Sequence, residues 1–266
     1  MTDEDSVSVR KVKSAVRTVE LLEYLAARPD QPCRIRDICA ALEMPRSSAH
    51  ALLRTLVAQG WVRSDDAGSQ YSIGVRALLV GTSYLDADPY LPMITPFLDD
   101  LRGDLDETFH LGRLDGHDVV YLATRESRQY IRTTNKVGRR LPAYTTALGK
   151  ALLAERFGAE LDAHIPPTLT PLTPRTVTDR AALEASLDET RVRGYATEDE
   201  ENTTGIKCFA VSLRYLQPAQ DAISASVPLS RLTPAREREI VDALRMVCDK
   251  VSRVVRPVAN GDKWFA

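Results

Sequence analysis

The chain has 266 residues, enough for two domains, and its 44% hydrophobic and 27% charged content is that of a soluble globular protein. A net charge of −2 excludes a uniformly basic protein that coats polyanions, so any nucleic-acid surface has to be local. Cys33, Cys39, Cys208 and Cys248 form no CxxC pair, no run approaches the ~18 apolar residues of a membrane span, and the acidic start Met1–Ser6 has no apolar signal core. The expectation is a cytoplasmic chain with reduced thiols, without metal, cofactor or membrane contact.

Residues 1–9 read as a solvated tail. From Val12 the apolar positions Val12, Val16, Val19, Leu22 and Ala26, widened by Leu21 and Leu25, mark an amphipathic helix that Arg28-Pro29-Asp30-Gln31-Pro32 breaks. Ile35, Ile38, Cys39 and Leu42 repeat at helical spacing in a short second helix ending near Glu43. The third runs from Pro45, suited to a first helical position, to Gly60, suited to a stop. Its apolar face is Ala49, Leu52, Leu53, Leu56 and Val57. Ser47, His50, Ala51 and Arg54 fall opposite, a small, basic, hydrogen-bonding face free of carboxylate. Two helices, a short turn and a third helix make a helix-turn-helix with the third as reader. Trp61-Val62-Arg63 and Gln70-Tyr71-Ser72-Ile73 flank an Asp/Gly/Ser turn, a hairpin that makes the motif winged.

Charge agrees with this reading. Between Arg10 and Arg63 ten basic residues face five acidic ones, so this segment carries +5 and the remainder −7. The candidate DNA contacts are Arg46, Ser47, Ser48, His50, Arg54 and, at the wing base, Arg63. The acidic tip Asp65-Asp66 points to the helix rather than the wing as the reader.

Val75 to Leu85 reads as an apolar helix whose partner is either the second domain or the same helix of another subunit. Asp86-Ala87-Asp88-Pro89 marks the boundary. Beyond it come a helix over 89–105, a hairpin of Thr108–Leu114 and Val119–Ala123, and a third strand at Tyr130–Thr134. A helix from Thr145 to Arg156, a Pro-rich loop over 165–174 and a helix from Asp179 to Arg193 follow. Strands at Lys207–Leu213 and Asp221–Val227 precede a closing helix from Thr233-Pro234 to about Val255. Helices around a mainly antiparallel sheet give an α+β domain. The expected division is a tail at 1–9, a winged helix-turn-helix at 10–74, a linker helix at 75–88, an α+β domain at 89–257 and a tail at 258–266. Arg125, Arg128, Arg132, Arg139 and Arg140 read by default as a solvated face, the alternative being recognition of an acidic ligand or of a polymerase surface.

Ser14-Ala15-Val16-Arg17, the Pro45–Leu53 block and Gly60-Trp61-Val62 resemble the IclR family of bacterial transcriptional regulators. The second half does so more specifically, through Val137-Gly138-Arg139-Arg140-Leu141-Pro142, Ala147-Leu148-Gly149-Lys150-Ala151, Arg193-Gly194-Tyr195-Ala196, and Asp199-Glu200-Glu201 with Gly205-Ile206-Lys207-Cys208. The resemblance implies a GAF-like effector-binding domain and assembly as homodimers or dimers of dimers. It also implies an effector pocket at Ala147, Leu148, Glu198, Cys208, Ser224 and Ser226. Ser224 and Ser226 share one sheet face by alternation, whereas Glu198 repels an anion unless it is protonated or bound to a hydroxyl. Two departures, Ala210-Val211-Ser212 after the cysteine and the bulky Tyr144-Thr145-Thr146, leave the effector's identity open.

The resulting expectation is a sequence-specific regulator of double-stranded operator DNA, controlled by an organic, keto or aromatic acid from a catabolic pathway. Repression relieved by ligand is the leading mode and ligand-dependent activation its alternative. The rival from another class is an enzyme acting on a small acid through Cys208 and Glu198, with His110 as base. His110, His117 and His164 share no metal-ligand spacing.

Overall fold

A computed structural model describes residues 12–259, without the side chains of 257–259. The expected tail at 1–9, Arg10, Lys11 and residues 260–266 lie outside the described residues. The chain divides into two units, one through Asp86 and one from Ala87.

The first unit contains helices α1 (Lys13–Ala26), α2 (Ile35–Ala41) and α3 (Arg46–Ala58), the two-residue strand β1 (Cys33–Arg34), and strands β2 (Val62–Ser64) and β3 (Gln70–Ile73). Leu21, Leu25, Ile38, Leu53, Leu56, Val62 and Tyr71 form its core, so α2 and α3 bury the faces their periodicity marked, whereas α1 buries Leu21 and Leu25 and leaves Val12, Val16 and Val19 exposed. β2 and β3 are the wing, and β1 pairs with β3 to complete a three-stranded sheet. Pro45 is the N-cap of α3 rather than its first residue, and its carbonyl accepts the first helical bond from Ala49 N–H at 3.0 Å. The stop is a Schellman ending. Gly60 takes a φ of +74°, its N–H reaches Val57 O at 3.0 Å, and Trp61 N–H reaches Leu56 O at 2.9 Å. Helix α4 (Arg76–Ala87) buries none of its residues. Val75 before it and Leu78, Leu79 and Val80 within it are more than half exposed, with Val75 at 74% and Leu79 at 65%.

The second unit is built on a six-stranded antiparallel sheet of order β6-β5-β4-β9-β8-β7. Its strands are β4 (Thr108–Asp115), β5 (Asp118–Arg125), β6 (Arg140–Pro142), β7 (Ala196–Asp199), β8 (Ile206–Ser212) and β9 (Asp221–Pro228). Helices α5 (Leu91–Leu105) and α9 (Pro234–Ala259) pack together against this sheet. Helix α6 (Ala147–Leu153) packs on β4, β5, β7, β8 and β9, and α8 (Arg180–Arg193) backs it. A short helix α7 (Gly158–Asp162) lies between α6 and α8 in the chain. Every residue of β9 is buried, as a central strand covered on both faces requires.

The structure corrects several expectations. No strand forms at Tyr130–Thr134, because the open edge of β5 is taken further along: Gly138 N–H donates to Tyr121 O at 2.8 Å and Tyr121 N–H to Arg139 O at 2.9 Å. Tyr130 is left 97% exposed. The helix expected from Thr145 begins at Ala147, after a 3-10 turn over Ala143–Thr145, with the Thr146 side chain capping Gly149 N–H at 2.9 Å. Gly149 lets α6 lie on that turn, since a Cβ there would stand 2.1 Å from Ala143 O. The short elements β1, β6, β7 and α7 add to those expected.

Candidate nucleic-acid interface and ligand cavity

Two places gather the expected site residues, one in each unit. In the first, Arg46 opens α3, where Ser47, His50, Ala51 and Arg54 line a shallow concave strip with Thr55, Ala58 and Gln59. Arg46, Ser47, His50 and Arg54 are all exposed. Ser48 is half-buried: it stands one turn before Leu52, at the edge of the apolar stripe. Thr55 and Gln59 extend the strip beyond the residues expected from sequence, although Thr55 Oγ1 donates to Ala51 O at 3.0 Å within the helix.

At the wing, Arg63 Nε donates to Ser72 Oγ across the hairpin at 2.7 Å, which holds the exposed guanidinium at the base. The acidic tip has an internal use. Asp65 accepts bonds from Ser69 N, Ser69 Oγ and Gln70 N at 2.6, 2.7 and 2.9 Å, and these lower its pKa. Its carboxylate closes the turn.

In the second unit, Ala147, Leu148, Glu198, Cys208, Ser224 and Ser226 all line one cavity of about 380 Å³ beside α6. Register explains the convergence. Glu198 on β7 pairs with Cys208 on β8, Cys208 with Ser226 on β9, and Ser224 on β9 with His110 on β4. These positions share one face, and α6 supplies Ala147 and Leu148 above them. Further residues complete the lining, among them Tyr121, Asn135, Arg139, Thr146 and Asn202. Asn135 and Asn202 lie on irregular segments, where no periodicity marks them.

Burial governs the chemistry inside. Glu198 is 2% exposed, and desolvation raises its pKa from the ordinary 4.5 to about 7, even though Asn202 N–H donates to it at 2.9 Å. It therefore carries a proton for part of the time at neutral pH and can donate to a ligand oxygen as well as accept. Asn202 Nδ2 also donates to Thr145 Oγ1 at 2.9 Å, tying the Glu198 segment to the turn before α6. A second tie is the buried pair Lys150–Glu201, with Nζ–O distances of 2.5 and 2.6 Å.

Cys208 Sγ lies 3.3 Å from Ser226 Oγ, and burial pushes its pKa well above the usual thiol value. His110 is fully buried and desolvated, with its pKa pushed down to about 3. Its ring nitrogens face Thr124 Oγ1 at 3.1 Å and Asn135 Nδ2 at 3.5 Å rather than Cys208. A thiol kept protonated and a histidine bonded elsewhere do not make a nucleophile and its base.

Comparison with known proteins agrees with both halves. Residues 82–253 match the bacterial transcriptional regulator IclR C-terminal model, and residues 14–66 match the IclR helix-turn-helix domain. The transcriptional repressor IclR of Escherichia coli K12 is 30% identical over 234 residues, covering 86% of this chain and 85% of that protein. The glycerol operon regulatory protein of Streptomyces coelicolor is 33% identical over 257 residues, covering 92% and 96%. The crystal structure of an IclR homolog from Microbacterium hydrocarbonoxydans complexed with 4-hydroxybenzoate superposes with a TM-score of 0.72 at 23% identity, covering 92% and 99%. The matched family is one of transcriptional regulators and not of enzymes, which overturns the enzyme reading built on Cys208, Glu198 and His110. The two models together span most of the sequence, and the chain belongs to the IclR family of bacterial transcriptional regulators.

Proposed function

We propose that the chain is a cytoplasmic, homodimeric repressor whose α3 helix reads operator DNA and whose second unit releases that DNA on binding a small organic acid. The observation that carries the reading is the cavity. Six positions on four separate elements, spread over eighty residues of sequence, converge on one volume of about 380 Å³. Arg46, Ser47, His50 and Arg54 supply base and phosphate contacts from α3, with Ser48 at its flank and Arg63 on the wing. The α4 helix, with its exposed Leu78, Leu79 and Val80, is the linker that meets its counterpart in a second copy. The functional division is then 10–74 for reading, 75–88 for linking and 89–257 for sensing. Ser224, Ser226 and a half-protonated Glu198 suit a ligand with hydroxyl or keto oxygens.

The test is thermal denaturation of the full chain with a panel of organic, keto and aromatic acids, followed by DNA binding with the acids that stabilise it. A ligand that binds only the folded state raises the melting temperature by mass action. The proposal expects at least one acid to do so and to loosen the DNA complex. Stabilisation by none of the acids, or by acids that leave DNA binding unchanged, refutes it.

A further inference from the structure

We propose that Arg139 is the residue that grips the carboxylate of the effector, that His110 acts through Asn135 to position it, and that the effector is a hydroxy acid. The inference rests on the organic-acid reading of the cavity.

Arg139 lines the cavity and is fixed at both ends. Its carbonyl accepts from Tyr121 N–H at 2.9 Å, directly after the Gly138 turn, so its backbone continues the β5–β6 ladder. Its Nη1 donates to Asn135 Oδ1 at 2.5 Å. Asn135 in turn points Nδ2 at His110 Nε2, 3.5 Å away, and His110 Nδ1 faces Thr124 Oγ1 at 3.1 Å. An amide nitrogen only donates, so Nε2 accepts and the ring proton sits on Nδ1, directed at Thr124. The acceptor at Nε2 on one side and the Arg139 guanidinium, a donor only, on the other hold the Asn135 amide in one orientation. The amide oxygen then faces Arg139. A histidine with its pKa at about 3 stays neutral at any physiological pH, so the acceptor at Nε2 is permanent.

Charge separates Arg139 from its neighbours. Arg132 also lines the cavity, but it pairs with Glu126 at 3.0 Å and donates to Gln129 O at 3.2 Å. Among the described residues Arg139 enters no ion pair, and its side-chain partner is a neutral amide. A guanidinium has five N–H donors in a planar fork, so most of them are left for a carboxylate, which it can hold in two bonds. Its field is felt inside: it adds to the burial that keeps His110 neutral, and it partly offsets the rise that burial gives the Tyr121 hydroxyl. Nearby Thr133, which also lines the cavity, has a buried hydroxyl oxygen without a hydrogen-bond partner.

The opposite side of the cavity has different chemistry. Arg139 precedes β6 at one edge of the sheet, while Glu198 sits on β7 at the other edge. Around Glu198 stand Cys208, Ser226 and Asn202, a set of neutral or half-protonated donors and acceptors. A ligand matching both sides has its charge at Arg139 and its hydroxyl toward Glu198 and the serines.

The test pairs acids with their primary amides, 4-hydroxybutanoate with 4-hydroxybutanamide and 4-hydroxyphenylacetate with 4-hydroxyphenylacetamide, in calorimetric titrations of the full chain. Simple carboxylates without hydroxyls, butanoate and phenylacetate, serve as references. The expected result is that a hydroxy acid binds more tightly than its amide and than its reference. Arg139→Met should weaken the acid by about tenfold to a hundredfold, the range of a hydrogen bond to a charged group, and should weaken the amide, which offers only a neutral acceptor, by much less. His110→Phe should reduce the acid-to-amide ratio, and His110→Gln, which keeps an acceptor near the Nε2 position, should restore it. Arg139→Met binding the acid as tightly as wild type overturns the assignment while leaving the organic-acid reading intact. His110→Phe weakening acid and amide equally overturns the positioning role. Equal binding of hydroxylated and plain acids overturns the ligand class. Binding of none of these acids to the wild type overturns the hydroxy-acid inference, and the broader acid panel decides whether the organic-acid reading falls with it.

Discussion

Replacing Glu198 by Gln tests whether the cavity floor holds a carboxyl group with a strongly raised pKa. In the folded chain Glu198 keeps its proton up to about pH 7, whereas an unfolded glutamate releases it near 4.5. Between these values the folded state binds more protons than the unfolded state, so the contribution of this group to stability falls as pH rises. It is fully favourable below about 4.5 and is lost by the time pH has passed 7. Each tenfold difference in proton affinity between the two states is worth roughly 1.4 kcal/mol, so the loss is about 3 kcal/mol. Glutamine has the shape of the protonated acid, and its oxygen can still accept from Asn202 N–H. Glu198→Gln should therefore match the wild type at pH 4.5 and exceed it by about 3 kcal/mol at pH 8. In a domain of this size that is a gap of roughly 6–12 °C in melting temperature. Thermal denaturation of both proteins across this range measures it, and a gap that stays constant with pH refutes the reasoning.

Two further predictions follow from the packing. Lys150→Met leaves Glu201 buried without its cation and should cost about 3–5 kcal/mol, while the double variant Lys150→Met/Glu201→Met should recover most of it. Denaturant unfolding of both variants checks this, and a double variant as unstable as the single one contradicts it. Leu79→Glu places a charge on the exposed apolar face of α4. If that face joins two copies, losing about 1.5–3 kcal/mol per buried leucine should weaken the dimer at least about a hundredfold in sedimentation analysis, and an unchanged dimer contradicts the linker role.

The parts of the fold that sequence made legible are those in which one residue pattern meets one buried face. Ala49, Leu53 and Leu56 recur at helical spacing because α3 has a single core to face. Strand β1 is invisible in the sequence because two residues, Cys33 and Arg34, carry no periodicity and gain their structure from pairing with Tyr71 and Gln70. Strand β7 is hidden by its acidic residues. Its alternation buries Ala196 and Glu198 together, and a buried glutamate does not look like a strand's inner face. Tyr130–Thr134 misleads in the opposite way. Its β-branched and aromatic residues suit a strand, but the β5 edge it needs belongs to Gly138 and Arg139. For the cavity, family blocks contain Ala147, Leu148 and Cys208, and the resemblance around them marks Glu198, Ser224 and Ser226 by position. Asn135 and Asn202 leave no such mark, because their roles depend on where irregular segments return to the sheet.

The central claim is that α3 reads operator DNA, and the most direct measurement is binding of the full chain to the DNA upstream of its own gene, by fluorescence anisotropy over a range of salt concentrations. The account predicts specific binding that weakens steeply as salt rises. Arg46→Ala and Arg54→Ala should each lower affinity, with a salt slope smaller by about one for a lost phosphate contact or with relaxed specificity for a lost base contact. Specific binding that survives both substitutions unchanged, or no preference for that DNA over unrelated sequence, would contradict it.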